Sequence, residues 1–194
     1  MDANTTIKTV AKGDCFLCIG DKCGTLYYIT EAKDNKCKAL SIFIDQSTVQ
    51  ALEYEDEYYC ELSDDIIMLP SSMYDTIKQL MLNCVNDVHK ILEDEALEID
   101  FELKPGALFT NGTDIYTAKE IKDSRWHFDL FRFDEEFVSN NWTANTSQEV
   151  STSTWSPIAV KTLDKVQKRF EELLHAIAQL IEQFSYRILN INRE

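Results

Sequence analysis

The sequence predicts an α+β protein: two small antiparallel β-meander units, each followed by an amphipathic helix, the C-terminal helix being long. Three observations predict it. Two stretches, one near the start and one just past the middle, are rich in β-branched and aromatic residues broken by turn signals. Each stretch is followed by a segment whose apolar residues recur at helical spacing. Finally, the chain of 194 residues has a 44% hydrophobic share with only 5 Gly and 3 Pro, which suits a packed globule and excludes collagenous or linker-like chains.

In the first unit (residues 1–70), Cys15 to Ile19 and Thr25 to Ala32 read as strands around the turn Gly20-Asp21-Lys22-Cys23-Gly24. Asp34-Asn35 is a second turn signal, and Lys38 to Asp45 alternates as a strand does. Glu53 to Leu62 and Ile66 to Leu69 add further strand segments. Pro70-Ser71-Ser72 caps a helix from about Met73 to about Glu95, within residues 71–100. Its stripe is Ile77, Leu80, Met81, Cys84, Val88, Ile91 and Leu92. In the second unit (101–142), Ala107 to Thr110, Ile115 to Lys119 and Trp126 to Phe133 read as strands, with Asn111-Gly112 as the first turn. Residues 143–155, rich in Ser and Thr, read as an exposed loop.

The last segment (156–194) opens on Ser156-Pro157, an N-cap followed by a first-turn Pro. Leu163, Phe170, Ile177, Phe184 and Ile191 fall seven apart, and Val166, Leu173 and Leu180 fill the complementary positions until Arg187 interrupts them. This is the heptad template of a coiled coil, widened by Leu174, Ile181 and Ile188. A helix from Ile158 to Ile191 spans about 50 Å at 1.5 Å per residue. A compact chain of this length is about 40 Å across. A second copy or a helical partner is therefore expected to cover Leu163, Val166, Phe170, Leu173, Ile177, Leu180 and Phe184, with an intramolecular hairpin as the alternative.

Two blocks resemble each other. Lys12-Gly13-Asp14-Cys15-Phe16 and Gly24-Thr25 through Tyr28 have counterparts in Lys104-Pro105-Gly106-Ala107-Leu108-Phe109 and Gly112-Thr113 through Tyr116. Duplication is one reading; chance likeness of short meanders is the other. The Lys-Gly-Asp-x-Phe opening followed by short strands resembles small SH3-like barrels, a resemblance limited to a handful of residues and without a functional motif. Wealth in Ile, Asn and Lys suits an AT-rich bacterial or phage genome.

Charge is uneven. The chain carries 19 basic and 34 acidic residues, net −15. Residues 1–103 hold 8 basic and 21 acidic side chains, and residues 104–194 hold 11 and 13. Such a balance opposes direct nucleic-acid binding and binding to an anionic membrane, since both need a basic footprint. The densest acid lies at Glu53, Glu55, Asp56, Glu57 and Glu61. A docking face for a basic protein, a nucleic-acid mimic and a solvated face are the competing readings. No apolar run approaches the roughly 18 residues of a membrane span. Residues 1–6 have neither the basic start nor the apolar stretch of a signal peptide, so a cytoplasmic protein is expected.

All six cysteines, at 15, 18, 23, 37, 60 and 84, lie in the first half. Cys15, Cys18, Cys23 and Cys37 could be read as a zinc set. A strand through Phe16-Leu17 would instead turn Cys15 and Cys18 to opposite faces, so free structural thiols and no metal are expected. The four Asn-x-Ser/Thr triplets, at Asn4, Asn111, Asn141 and Asn145, are expected to reflect composition, since no secretory leader is expected. No nucleophile elbow, phosphate-binding loop, metalloprotease motif or dinucleotide fingerprint occurs, and no cofactor is implied. The one local convergence of acid, base and cation is Arg125, His127 and Asp129 on a single strand face. The expected function is a non-enzymatic protein-interaction or assembly protein with an acidic docking face and a helix-mediated oligomer interface. The alternatives are a small enzyme or ligand-binding domain centred on His127, and an acidic nucleic-acid mimic.

Overall fold

The computed structural model describes residues 8–19, 23–33, 36–59, 61–62, 66–97, 102–122, 125–146 and 155–191. Side chains are described for these except residues 8, 9, 36, 53–59, 61, 62, 125, 140–146 and 185–191. The chain divides into two compact units, residues 1–80 with 176–194, and residues 81–175.

In the first unit, β2 (Cys15–Ile19), β3 (Cys23–Lys33), β4 (Lys36–Asp45) and β5 (Thr48–Tyr59) form an antiparallel meander. The short β7 (Ile66–Leu69) pairs on the outer side of β2, giving the order β7-β2-β3-β4-β5. A separate ribbon joins β1 (Lys8–Thr9) to β6 (Glu61–Leu62). Strand alternation sorts the side chains onto two faces. On one, Leu17, Leu26, Ile42 and Ala51 lie in register and are buried. The first turns of α1 (Met73–Glu95) cover this face: the Tyr28 ring lies 5.9 Å from Tyr74, and the Cys15 thiol bonds the Tyr74 backbone. On the other face, Phe16 stacks on Tyr27 at 5.3 Å and joins Val10, Ile29, Cys37 and Ala39 in a second buried cluster.

In the second unit, β8 (Leu108–Thr110), β9 (Ile115–Lys122), β10 (Arg125–Phe133) and β11 (Phe137–Thr146) form a meander. The two-residue β12 (Ser156–Pro157) pairs outside β8, giving the order β12-β8-β9-β10-β11, and leads into α2 (Val160–Ile191). Phe109, Ala118 and Phe128 form a buried cluster with Leu103, Tyr116, Trp126 and Trp155 against it. The Trp155 ring stacks on Phe109 at 4.7 Å and on Tyr116 at 4.9 Å.

Several expectations change. Helix α1 runs over the expected residues, but Ser156-Pro157 is not a helix cap. Ser156 pairs with Thr110, and the Ile158 amide donates to the Leu108 carbonyl at 3.1 Å, so sheet pairing delays the helix to Val160. Residues 143–146 are strand rather than loop, because β11 borrows its order from the ladder to β10 despite a polar sequence. Gly24 lies inside β3 whereas Gly112 sits in a turn at φ +99°, so their shared Gly-Thr does not mark equivalent positions. The strands form open antiparallel ladders that end at β7 and β12, not SH3-like barrels, and no coiled coil is present among the described residues.

The heptad stripe of α2 is covered in part within the single chain. Val166, Phe170, Leu173 and Ile177 are buried, while Leu163, Leu174, Leu180, Ile181 and Phe184 keep partial exposure. At the four buried positions the cover that length alone assigned to a second copy is already intramolecular. Phe170 is fully buried, so Phe170→Ala leaves a cavity and is expected to lower stability by about 3–5 kcal/mol. Urea unfolding checks this; a midpoint unchanged from the parent would contradict the buried placement.

Candidate functional site

The acidic strip occupies the sheet's own strands: Glu53, Glu55, Asp56 and Glu57 belong to β5, and Glu61 to β6, with their side chains outside the described residues. In backbone register, Glu53 lies opposite Leu40 and Tyr54 opposite Ala39.

Arg125, His127 and Asp129 lie together on β10. Asp129 forms an ion pair with Lys119 of the neighbouring strand, and a bulge between His127 and Phe128 shifts the β9 register. His127 is half-buried opposite Glu120, and the Arg125 side chain lies outside the described residues. Of the other histidines, His89 is half-buried and its Nε2–H donates to the Phe133 carbonyl at 2.8 Å, which employs that nitrogen structurally.

The thiols separate as strand geometry requires. Cys15 is buried on the α1 face and Cys18 packs against the Phe16 cluster on the other. Cys15, Cys18, Cys23, Cys37 and Cys84 are free thiols, and Cys60 lies outside the described residues. Burial pushes Cys15 and Cys84 up to about 11, and raises Cys18 as well. A thiol that stays protonated at neutral pH is a poor nucleophile. Among the described residues no three His, Cys, Asp or Glu side chains converge as a cation site.

Two polar arrangements escaped the sequence reading. In the second unit, α1 and α2 are clamped by ion pairs. Arg169 donates to Asp87 and Glu172, Lys165 donates to Glu95, and Thr162 Oγ1 donates to Glu95 at 2.9 Å. Cys84 lies 3.7 Å from the Arg169 carbonyl between them. The bonds from Lys165 and Thr162 hold Glu95 below its ordinary carboxylate range. Thr162, Lys165 and Arg169 recur at helical spacing beside the apolar stripe, a pattern visible in the sequence but meaningless until α1 supplied the acids. At the β8–β9 turn, Tyr116 Oη donates to Asp114 Oδ2 at 3.5 Å and accepts from Asn111 Nδ2 at the same distance. Burial raises the Asp114 carboxyl, against the pull of Arg132, and pushes the Tyr116 phenol up to about 12. Asn111 Oδ1 accepts from the Thr113 and Asp114 amides, so this group organises a turn.

Neither the family models nor the curated proteins include one that matches this sequence. Among solved structures, one described as Trypanosoma bruciei MRP1/MRP2 aligns over 87% of this chain and 85% of its own, at 10% identity and a TM-score of 0.12. That score carries neither fold nor function across.

The thiols give a direct check. Cys23 is exposed whereas Cys15 and Cys84 are buried with raised pKa values. Iodoacetamide at pH 8 is expected to modify Cys23 first and Cys15 and Cys84 only on unfolding, as read by mass spectrometry. Because the folded thiols titrate above the unfolded value of 9.0, their contribution to stability is whole below pH 9 and is lost as pH rises toward 11.

Proposed function

We propose that this protein is a non-enzymatic protein-binding module, built by internal duplication, whose first half docks a basic protein partner. One observation carries the reading: the two halves share a burial pattern but not a charge.

The pattern supports a duplication more closely than the sequence likeness did. An offset of 89 residues, as from Tyr27 to Tyr116, also relates Ile29 to Ala118, Cys37 to Trp126, Ala39 to Phe128 and Ile66 to Trp155, all members of the two clusters. The same offset carries the buried α1 positions Ile77, Met81, Cys84 and Val88 onto Val166, Phe170, Leu173 and Ile177 of α2, which are buried too. Before the first hairpin the offset is 93, from Gly13 to Gly106, Val10 to Leu103 and Phe16 to Phe109. The four-residue change is absorbed in the first hairpin, which is shorter in the second half.

Two copies of one scaffold need the same core and, for solubility, similar surfaces. Here residues 1–103 carry net −13 and residues 104–194 net −2. A charge that the scaffold does not require, confined to one copy, is better accounted for by an external partner of opposite sign than by solubility. Assembly through α2 remains part of this reading only at its partly exposed positions Leu163, Leu180 and Phe184.

Binding of a lysine-rich probe peptide tests it by fluorescence anisotropy. Affinity should fall steeply as salt rises, because the screening length drops from about 10 Å at 0.1 M to about 3 Å at 1 M. Reversing Glu55, Asp56 and Glu57 to Lys should weaken binding tenfold or more. Reversing Glu135, Glu136 and Glu171 of the second half should change it little. Equal effects of the two triple variants would mean that only total charge matters, and would overturn the docking reading.

A further inference from the structure

The geometry points to the outer edge of β7, Ile66–Leu69, as a docking site for one extended strand of a basic partner. The inference rests on the docking reading above and says where and how such a partner is held.

The direction of each backbone group along β7 follows from the register. In antiparallel pairs, hydrogen-bonded and non-hydrogen-bonded positions alternate. The Ile29 amide donates to the Asp14 carbonyl at 2.9 Å, which makes Phe16 and Tyr27, one step of the alternation further, a hydrogen-bonded pair. Phe16 thus spends its N–H and C=O on β3. Its neighbour on the other side, Met68, has both groups turned away from the sheet, as does Ile66, while Ile67 and Leu69 bond β2. Strand β7 ends the strand order. Among the described residues nothing bonds the outward groups of Ile66 or Met68.

The second half closes the corresponding edge by two devices. The Ala118 amide donates to the Ala107 carbonyl at 2.9 Å, so Phe109 bonds β9 and its outer neighbour is Pro157. Proline has no N–H to offer, and its carbonyl accepts from the Leu97 amide at 3.0 Å. Pro157 stands 89 residues after Met68, the offset that relates the two clusters. One copy therefore blocks the edge in the way sheet proteins commonly do, and the other leaves a donor and an acceptor facing outward.

An open edge with an Ile-Ile-Met-Leu sequence selects an extended segment through main-chain hydrogen bonds. Charge selects which one. Pairing with a second copy would bring together two halves of net −13, whereas a segment alternating basic and β-branched residues matches both the pleat and the charge.

Amide hydrogen exchange of the full chain, with and without a seven-residue peptide alternating Lys and Val, tests this. In the free protein Ile66 and Met68 should exchange fast and Ile67 and Leu69 slowly. The peptide should slow Ile66 and Met68 tenfold or more, and a version N-methylated at alternate residues should not. Met68→Pro, which removes the outward donor as Pro157 does, should weaken peptide binding at least tenfold while the Phe16 cluster stays protected. Slow exchange at Met68 in the free protein means that another segment or a second copy already holds the edge, and overturns the proposal. Salt-sensitive binding, lost on reversing Glu55, Asp56 and Glu57, without protection of Met68 overturns the edge site alone. No binding at all overturns the docking reading with it.

Discussion

Register is the constraint on which the rest of this structure depends, and a glycine corner sets it in each half. Gly13 at φ +91° donates to the Ile29 carbonyl at 2.8 Å, while the Asp14 amide donates to the Ala11 carbonyl and the Asp14 carbonyl accepts from the Ile29 amide. Gly106 at φ +84° donates to the Ala118 carbonyl at 2.7 Å, and Ala107 bonds Lys104 and Ala118 in the same manner. A slip of one residue would send every side chain of the following strand to the other face. With the corner in place, Phe16 meets Tyr27 at 5.3 Å and Phe109 meets Tyr116 at 5.4 Å.

From that register the other properties follow. Cys15 turns toward Tyr74 and loses its reactivity to burial, while Cys18, three residues on, goes to the opposite cluster. The outward direction of Met68 and of Pro157 is fixed by the same alternation. Charge takes no part in it, which is why one half can carry most of the acid without a change in core pattern. The ion pairs that join α1 to α2 are partly exposed and add modest energy. The buried stripe of Val166, Phe170 and Leu173 contributes far more through apolar area.

Much of the fold was legible. The α1 stripe, the strands from Cys15 to Ile29 and from Trp126 to Phe133, and the Asn111-Gly112 turn all announce themselves through periodicity or turn chemistry. Strand β11 did not, because Ser139-Asn140-Asn141 has no apolar alternation and its order comes from β10. Ser156-Pro157 was misread because Ser-Pro before an apolar stripe looks the same whether the Pro opens a helix or closes a sheet edge. The length of α2 argued for an outside partner, but length does not say which stripe positions the chain covers itself. Asp114, Tyr116 and Arg132 could not be joined by eye, since their meeting depends on which faces the hairpin presents.

The proposed duplication and its shared corner are tested most directly by a matched pair of substitutions. Nothing lies within 4 Å of a Cβ added at Gly13 or at Gly106, so Gly→Ala at either meets no neighbour and carries only the backbone cost of positive φ. Gly13→Ala and Gly106→Ala, followed by urea unfolding, should each lower stability by about 1–2 kcal/mol. The two losses should be equal within error. A marked loss at one glycine and none at the other would contradict the account, because the two halves would then not be held in register by the same device.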